Sequence, residues 1–267
     1  MNQRVSINVA DHIATVKLDR ADKKNAVDCA MFEALIEAGE ALAADTSVRA
    51  VIVHGAGNNF CAGIDISSFQ GEGGITSDDR PMQPRATSPA NFFQSAAYVW
   101  RELPVPVIAV VEGYTFGAGL QIALAADIRY AAPDAQLSIM EIKWGIIPDM
   151  AISTTLKDVM PVDRIKELAY TGRILDGQAA ATLGLVTRIE ANPLQAARAL
   201  AAEIAARSPD AIRAIKRLIN DSWQEPPASS LRHEAELQMT LLGSPNQLEA
   251  VMANMHKRNP EFRDPKP

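Results

Sequence analysis

The sequence is poor in the residues that build disulfide frameworks and zinc sites. It has two cysteines, Cys29 and Cys61, and four widely scattered histidines. These numbers argue against a disulfide-stapled scaffold and do not assemble a four-ligand zinc site. Both cysteines are therefore interpreted as small core or loop residues in a reducing compartment.

Positive charge is also in short supply. The chain has 26 Lys and Arg residues against 32 Asp and Glu residues, which gives a formal net charge of −6. A protein with this balance lacks the general basic surface that grips a phosphate backbone. A nucleic acid is therefore not an expected partner.

Uninterrupted apolar segments are missing as well. The most apolar stretch, residues 105–126, is broken by Glu112, Gln121 and three glycines. Residues 1–9 pass directly into an alternating apolar pattern and contain no apolar segment typical of a secretory signal. With 48% hydrophobic and 22% charged residues, the sequence predicts a folded cytoplasmic protein that does not enter a membrane.

The order of predicted elements changes at about residue 190. Strands and helices alternate before that point, which is typical of an α/β architecture, whereas residues 191–267 are predicted to be helical. We therefore expect a core over residues 1–190 and a helical lid or oligomerisation region over residues 191–267. The Gly-, Pro- and Ser-rich residues 70–89 predict a long functional loop.

Individual elements follow from periodicity, caps and breakers. Strands are predicted at 5–9, 13–18, 48–53, 107–111, 128–131, 136–139 and 185–189, and a turn at 113–117. Helices are predicted after Asp28 and at 91–103, 118–126, 150–158, 162–171, 176–183, 194–207, 210–221, 229–242 and 246–257.

Two loops rich in small residues follow buried strands of the predicted core. They span residues 54–66 and 112–120. Small side chains let backbone N–H groups face a ligand, and the second loop leads into the start of a helix, where N–H groups are free. Together the loops could hold one developing oxyanion between two amides. The alternative for each loop is a tight turn between packed elements.

Several common catalytic motifs do not fit. Gly117-Ala118-Gly119 has Ile122 where a dinucleotide site needs a third glycine, and the next acid, Asp127, comes too early for a ribose contact. Neither GxxxxGK[ST] nor GxSxG occurs. Acid–base chemistry is therefore expected to rest on carboxylates.

Glu141 and Asp149 are the candidate carboxylates. Both lie in an otherwise apolar stretch, where desolvation raises the pKa of a carboxyl group towards the range suited to proton transfer. The alternatives are an ion pair of Glu141 with Lys143 or Arg129, and an Asp149 that caps a helix starting at Met150.

Four segments taken together resemble the crotonase family, the enoyl-CoA hydratase/isomerase superfamily. They are FCAGIDI at 60–66, GYTFGAGL at 113–120, ADIRYA at 126–131 and EIKWGIIP at 141–148, with further likeness at 168–173, 180–186 and 257–262. The resemblance implies a crotonase-like spiral of ββα units with a C-terminal helical trimerisation region. It also implies an acyl-CoA thioester substrate, no separate cofactor beyond the CoA of that substrate, and a homotrimer or a hexamer built as a dimer of trimers.

The resemblance also implies roles for particular residues. The backbone N–H groups of Ile64 and Ala118 are expected to form the oxyanion hole. Contacts with the CoA or acyl part of the substrate are expected for Lys24, Ala62, Asp65, Ile66, Gly117, Gln121 and Trp144. A solvated charge at Lys24 and a core position for Trp144 are the alternatives.

The carboxylates suggest the reaction. Family hydratases use two glutamates, and here Gln121 stands at one of those positions and Glu141 at the other. A glutamine can orient water or a carbonyl but cannot exchange protons. Dienoyl-CoA isomerases in the family place an aspartate eight residues after the glutamate, as Asp149 is here, although they also carry an acid at the Gln121 position.

Double-bond isomerisation of enoyl- or dienoyl-CoA is therefore expected. In that reaction Glu141 would act next to the thioester carbonyl and Asp149 at the distal carbon. Three alternatives stay open. They are an enoyl-CoA hydratase that uses Glu141 and Gln121, a non-catalytic acyl-CoA-binding protein, and a minor one, aryl-CoA dehalogenation through Asp149.

Overall fold

The computed structural model describes residues 4–69, 82–157 and 159–266. Most of the loop predicted over residues 70–89 therefore lies outside the described residues. Within them the chain alternates strands and helices up to β9 and is helical after it, as the sequence predicts. The strands are β1 Val5–Ala10, β2 Ile13–Leu18, β3 Ala50–Gly55, β4 Val107–Val111, β5 Tyr114–Phe116, β6 Ile128–Ala131, β7 Gln136–Ser138, β8 Leu175–Asp176 and β9 Arg188–Ile189. The helices are α1 Cys29–Ala44, α2 Phe92–Glu102, α3 Ala118–Leu124, α4 Ile152–Thr155, α5 Val162–Thr171, α6 Gly177–Thr182, α7 Pro193–Ala205, α8 Pro209–Ser222, α9 Pro227–Leu241 and α10 Pro245–Met255.

Six strands form the main sheet in the order β1-β2-β3-β4-β6-β9. β1 and β2 pair as an antiparallel hairpin, and the remaining neighbours are parallel. Alternate residues of β3 face opposite sides, as the period of a strand requires. Val51 and Val53 pack into the larger core with residues of α1 and α2, whereas Ala50 and Ile52 pack against Ala197 in α7. The sheet is thus covered by helices on both faces.

A second sheet of three short strands has the order β5-β7-β8. The predicted turn over residues 113–117 is wrong for its three central residues, which form β5 parallel to β7. Gly113 and Gly117 bracket this strand with φ of +51° and +49°. The glycines produce the turn-like pattern in the sequence, while the strand depends on pairing with β7 and so is not visible locally.

Three further elements differ from the expectation. The predicted helix at 150–158 extends to a residue outside those described, and within residues 150–157 it is reduced to α4, whose N-cap is Ala151 at φ +68° without a side-chain cap. Asp149 therefore does not cap this helix. β8 was not predicted, and the strand predicted at 185–189 is reduced to β9.

Four helices, α7 to α10, follow the last strand, and each begins with a proline in its first turn. Proline suits this position because its missing N–H would have no helical partner there. α7 packs on the main sheet, while α9 has no buried residue. The division of the chain at residue 190 stays a prediction.

Candidate active site

The two loops rich in small residues lie against each other at one end of the parallel strands. The Cys61 N–H donates to the Tyr114 carbonyl at 2.9 Å, and the Phe116 N–H donates to the Cys61 carbonyl at 3.0 Å. A Cβ atom at Gly119 would lie 2.3 Å from the Cys61 carbonyl oxygen. Glycine at this position therefore permits the close approach of the two loops.

A cavity of about 80 Å³ opens where these loops meet the segment that carries Glu141. Its lining is mainly apolar or backbone and consists of Ala62, Gly63, Ile64, Ile66, Phe116, Gly117, Ala118, Met140, Glu141, Trp144 and Ile146. Seven of the residues predicted from the sequence therefore lie in one place. The other four, Lys24, Asp65, Gln121 and Asp149, are not among the lining residues. The sequence did not single out Met140 or Ile146, although both flank Glu141 in the apolar stretch.

Two residues that line the cavity, Ile64 and Ala118, have backbone N–H groups outside the hydrogen bonds of the surrounding structure. Val27 donates its N–H to the Gly63 carbonyl and accepts from the Asp65 N–H. Both bonds go to the neighbours of Ile64, so the Ile64 N–H takes no part in this pairing. Ala118 is the first residue of α3, so no preceding turn of helix accepts from it. Within the described ranges, neither the Ile64 nor the Ala118 N–H has an acceptor.

Glu141 is the titratable side chain of the cavity. It begins a 3₁₀ turn, Glu141–Trp144, and is 6% exposed. Its Oε1 accepts from Gln121 Nε2 at 2.6 Å, while Oε2 is buried and has no hydrogen-bond partner among the described residues. Desolvation raises the pKa of this carboxyl group, and the nearby charge of Asp149 raises it further.

The alternative of an ion pair for Glu141 is not present in the described part of the chain. Arg129 instead donates to the carbonyls of Ala126 at 2.7 Å and Leu185 at 2.8 Å. No ion pair joins Glu141 to Lys143 either, within the same residues. The carboxyl group is therefore buried without a countercharge.

Gln121 and Asp149 lie around Glu141, outside the lining of the cavity. Gln121 is 2% exposed and sits behind the Glu141 carboxyl group, where its own Oε1 accepts from the Met150 N–H at 2.8 Å. Asp149 is exposed, but the protein surrounds its carboxyl group closely enough that desolvation raises its pKa. Two carboxyl groups with raised pKa values thus lie in one region.

The remaining two predicted residues, Lys24 and Asp65, make contacts within the protein. Lys24 Nζ lies 4.2 Å from the centre of the Tyr114 ring. Asp65 Oδ2 is 2.7 Å from Arg20 Nη1, and its Oδ1 accepts from the N–H and hydroxyl of Ser67. Burial opposes ionisation of Asp65, but these bonds leave its pKa below the ordinary value. Contacts of Lys24 and Asp65 with a ligand stay predictions.

Neither a metal site nor a membrane span is found in the described residues. In the described residues, no group of three or more His, Cys, Asp and Glu side chains is arranged to hold a metal ion. No helix in that part of the chain has the length and apolar character needed to cross a membrane.

Known proteins match this chain over nearly its whole length. The family model described as enoyl-CoA hydratase/isomerase matches residues 8–265. The mitochondrial Delta(3,5)-Delta(2,4)-dienoyl-CoA isomerase of Mus musculus is 31% identical over 262 residues, which cover 93% of this chain and 78% of the relative. A probable enoyl-CoA hydratase of Bacillus subtilis is 30% identical over 262 residues, which cover 97% of this chain and 98% of the relative.

Solved structures give the same result. The crystal structure of an enoyl-CoA hydratase from Bacillus anthracis superposes with a TM-score of 0.87 at 28% identity and covers 98% of this chain and all of that one. A structure of an enoyl-CoA hydratase from Mycobacterium tuberculosis superposes with a TM-score of 0.86 at 30% identity. The resemblance and the α/β crotonase fold predicted from the sequence are thereby confirmed. The chain belongs to the enoyl-CoA hydratase/isomerase family, the crotonase superfamily, and is an enzyme of that family.

Proposed function

We propose that this enzyme moves a double bond in enoyl- or dienoyl-CoA thioesters, with Glu141 and Asp149 as the proton-transfer groups. The observation that carries the proposal is the buried, unpartnered Oε2 of Glu141 in a cavity that is also lined by Ile64 and Ala118, whose N–H groups have no acceptor among the described residues. Among the described residues that line the cavity, Glu141 is the one titratable side chain. The arrangement provides one base and two oxyanion donors.

The two N–H groups would bind the thioester carbonyl oxygen. As a carboxylate, Glu141 takes a proton from the carbon next to that carbonyl, and the C–H electron pair moves towards the carbonyl oxygen. The Ile64 and Ala118 N–H groups stabilise the resulting enolate, and loss of one such donor typically costs about 3 kcal/mol in the transition state. Return of a proton at a distal carbon shifts the double bond, and no atom is gained or lost overall.

The raised pKa of Glu141 suits this cycle. A base with a pKa close to the working pH both accepts and releases a proton readily. Asp149 is assigned to the distal carbon because its carboxyl group also has a raised pKa and its charge acts on Glu141. The name of the Mus musculus relative, a dienoyl-CoA isomerase, supports this pairing.

The rest of the substrate would be held around this centre. Ala62 and Ile66 with the outlying Lys24 and Asp65 are assigned to the CoA part, and Gly117, Gln121 and Trp144 to the neighbourhood of the acyl part. A homotrimer or hexamer is proposed as the assembly. A cytoplasmic location stays a prediction, because the relatives include bacterial proteins and proteins named as mitochondrial.

Hydration is the second candidate function. The names of the Bacillus subtilis relative and of the Bacillus anthracis structure favour it. It would need Gln121 to position water for Glu141. A protein that binds acyl-CoA without turnover and an aryl-CoA dehalogenase that uses Asp149 are further alternatives, and the second leaves Glu141 without a role.

Product analysis in deuterated water tests the proposal. The enzyme is incubated separately with 2-enoyl-, 3-enoyl-, 3,5-dienoyl- and aryl-CoA thioesters, and products are identified by mass spectrometry. Isomerisation predicts products that incorporate solvent deuterium without added water. A product heavier by one water contradicts the proposal and supports hydration, and the absence of any product with retained binding supports the binding protein.

Substitution of the proton-transfer groups completes the test. Glu141→Gln is expected to lower kcat by about 10²- to 10⁴-fold, because the amide cannot accept a proton. Asp149→Asn is expected to lower the rate of isomerisation of the dienoyl-CoA substrate specifically. An unchanged rate would show that Asp149 does not take part in the reaction. Glu203→Gln, a change at an exposed position of α7, is the matched control and should leave kcat unchanged.

A further inference from the structure

Gln121 uses both ends of its side-chain amide inside the protein. Its Nε2 donates to Glu141 Oε1 at 2.6 Å, and its Oε1 accepts from the Met150 N–H at 2.8 Å. With 2% of its surface exposed, it has almost no contact with solvent. The two bonded groups lie 9 positions apart in the sequence and on opposite sides of the amide.

The orientation of this amide is fixed by chemistry. The Met150 N–H is a donor only, so it requires the oxygen of the amide, and the NH₂ group must then point towards Glu141. A charged acceptor such as a carboxylate makes the second bond strong. Gln121 therefore binds one oxygen of Glu141 and leaves the other, Oε2, without a partner.

The backbone around Glu141 supports the same arrangement. Gly117 has φ +49°, and a Cβ atom at that position would lie 3.3 Å from Glu141 Oε1. Glycine thus leaves room for the carboxyl group, and Gln121 holds the group in that space. Because Met150 follows Asp149 directly, the Gln121 amide also links the segment that carries Asp149 to the carboxyl group of Glu141.

We propose that Gln121 is a positioning residue that holds Glu141 with Oε2 as the proton-transferring oxygen, and that its buried amide, which lies outside the lining of the cavity, does not orient a water molecule for addition. This role rests on the proposed function, since it requires Glu141 to be the proton-transfer group. It deepens that function in one respect: the site is committed to proton transfer without addition of water. A purely structural amide would fill the same space without influencing the reactivity of Glu141.

The first test is Gln121→Met, which keeps the approximate size of the side chain and removes both hydrogen bonds. A carboxylate that is free to rotate spends less time in the reactive geometry, so kcat should fall on the order of 10- to 100-fold while KM changes little. The bond from Gln121 also lowers the pKa of Glu141 against the effect of burial. Its loss should therefore move the acid limb of the rate profile to higher pH.

Gln121→Glu is the second variant and protects the test against a folding defect. It keeps the shape of the side chain and an acceptor for the Met150 N–H, but it replaces the donor to Glu141 by a second carboxyl group. Two carboxyl groups in contact share one proton, which raises one of their pKa values strongly. The acid limb should shift further than in Gln121→Met, and infrared titration of labelled carboxyl groups gives a readout that does not depend on turnover. Gln178→Met, at an exposed position of α6, is the matched control.

The outcomes separate this inference from the proposed function. If Glu141→Gln is inactive while both Gln121 variants keep the wild-type kcat and pH profile, the positioning role is wrong and the proposed function stands. If Glu141→Gln keeps full activity, the proposed function itself fails. Incorporation of ¹⁸O from labelled water into the product of the wild-type enzyme would overturn the claim that the site adds no water.

Discussion

The core and the last three helices bury their apolar side chains to very different degrees. In the core, large residues such as Trp100, Phe32 and Ile52 are no more than 1% exposed. In α8, α9 and α10 and the residues adjoining them, many apolar side chains are 43% to 71% exposed: Ile215, Ile219, Trp223, Leu231, Met239, Leu242, Leu248, Val251, Met252 and Met255. Apolar surface on this scale is typical of an interface with another protein. The core thus buries most of its large apolar side chains within one chain, whereas these three helices bury few of theirs, which supports the proposed self-association.

A buried ion pair joins the two regions. Lys216 in α8 is 8% exposed, and its Nζ lies 2.8 Å from Asp127 Oδ2. It also donates to the carbonyls of Trp100 at 3.3 Å and Val105 at 2.9 Å. Burial lowers the pKa of Lys216, while Asp127 opposes that effect. Apolar packing stabilises the core, and a polar contact fixes α8 to it.

The largest expected effect comes from removing one tryptophan in the core and, for comparison, one tryptophan next to α8. Trp100→Ala deletes a side chain with no exposed surface and is expected to destabilise the chain by about 3–5 kcal/mol. Trp223→Ala removes a side chain that is 67% exposed, so the stability of the single chain should change by at most about 0.5 kcal/mol. Urea unfolding at low protein concentration measures both.

Trp223→Ala should instead weaken assembly. Sedimentation of the wild type and of this variant over a range of concentrations measures that effect. Equal losses of stability in the two tryptophan variants, or unchanged self-association in Trp223→Ala, would contradict the proposed difference between the regions.

The next effect concerns the joint between the regions. Lys216→Met leaves Asp127 without its cation and two carbonyls without their donor, and is expected to cost about 3 kcal/mol, near the lower limit for buried pairs because Asp127 is partly exposed. The double variant Lys216→Met with Asp127→Asn should recover part of this loss, since no uncompensated charge remains. Arg217→Met, at the next and exposed position, is the control. Additive losses in the double variant would show that the pair is not coupled.

The sequence predicted elements whose signals are local. α5 has the predicted ends, because Pro161 precedes it and Gly172 ends it in the left-handed conformation. α1 begins after Asp28, whose side chain accepts from the Met31 N–H. β4 and β6 were predicted at their observed bounds because they are short apolar runs between breakers.

Elements that depend on distant partners were not predicted. β5 and β8 exist because each pairs with β7, and neither pairing has a local pattern. α4 is short because Ala151 has a left-handed backbone and the Met150 N–H is bonded to the Gln121 side chain. That contact spans 29 positions and has no local pattern.

The candidate site shows the same limit. Sequence motifs predicted the segments of Ile64, Ala118 and Glu141, which line one cavity. Gln121 was expected to orient a water molecule or a substrate carbonyl, but it lies behind Glu141 with both ends of its amide bonded to the protein. The sequence shows that an amide stands at this position, whereas the groups that the amide binds can be identified only in the folded structure.

The smallest expected effect tests how the end of the chain is held on α10. Arg258 donates to both carboxylate oxygens of Glu249, at 2.5 and 2.8 Å, and the Glu261 N–H donates to Oε1 at 2.8 Å. The hydrogen bonds from Arg258, followed by the bond from Glu261, lower the pKa of Glu249 from its ordinary value of 4.5 to about 2. Because the pKa is lower in the folded state, the stabilisation is complete above pH 4.5 and is lost as the pH falls towards 2.

Thermal unfolding of the wild type and of Glu249→Gln measures this contribution. The wild type should be slightly more stable at neutral pH, and the difference should shrink as the medium is acidified. It should also shrink at high salt, because the group lies at the surface, where salt screens its charge. A difference independent of pH and salt would mean that neutral hydrogen bonds hold the end of the chain. The contacts of Glu249 would then differ from those of the apolar core in how deeply they are buried, and no contribution from charge would distinguish them.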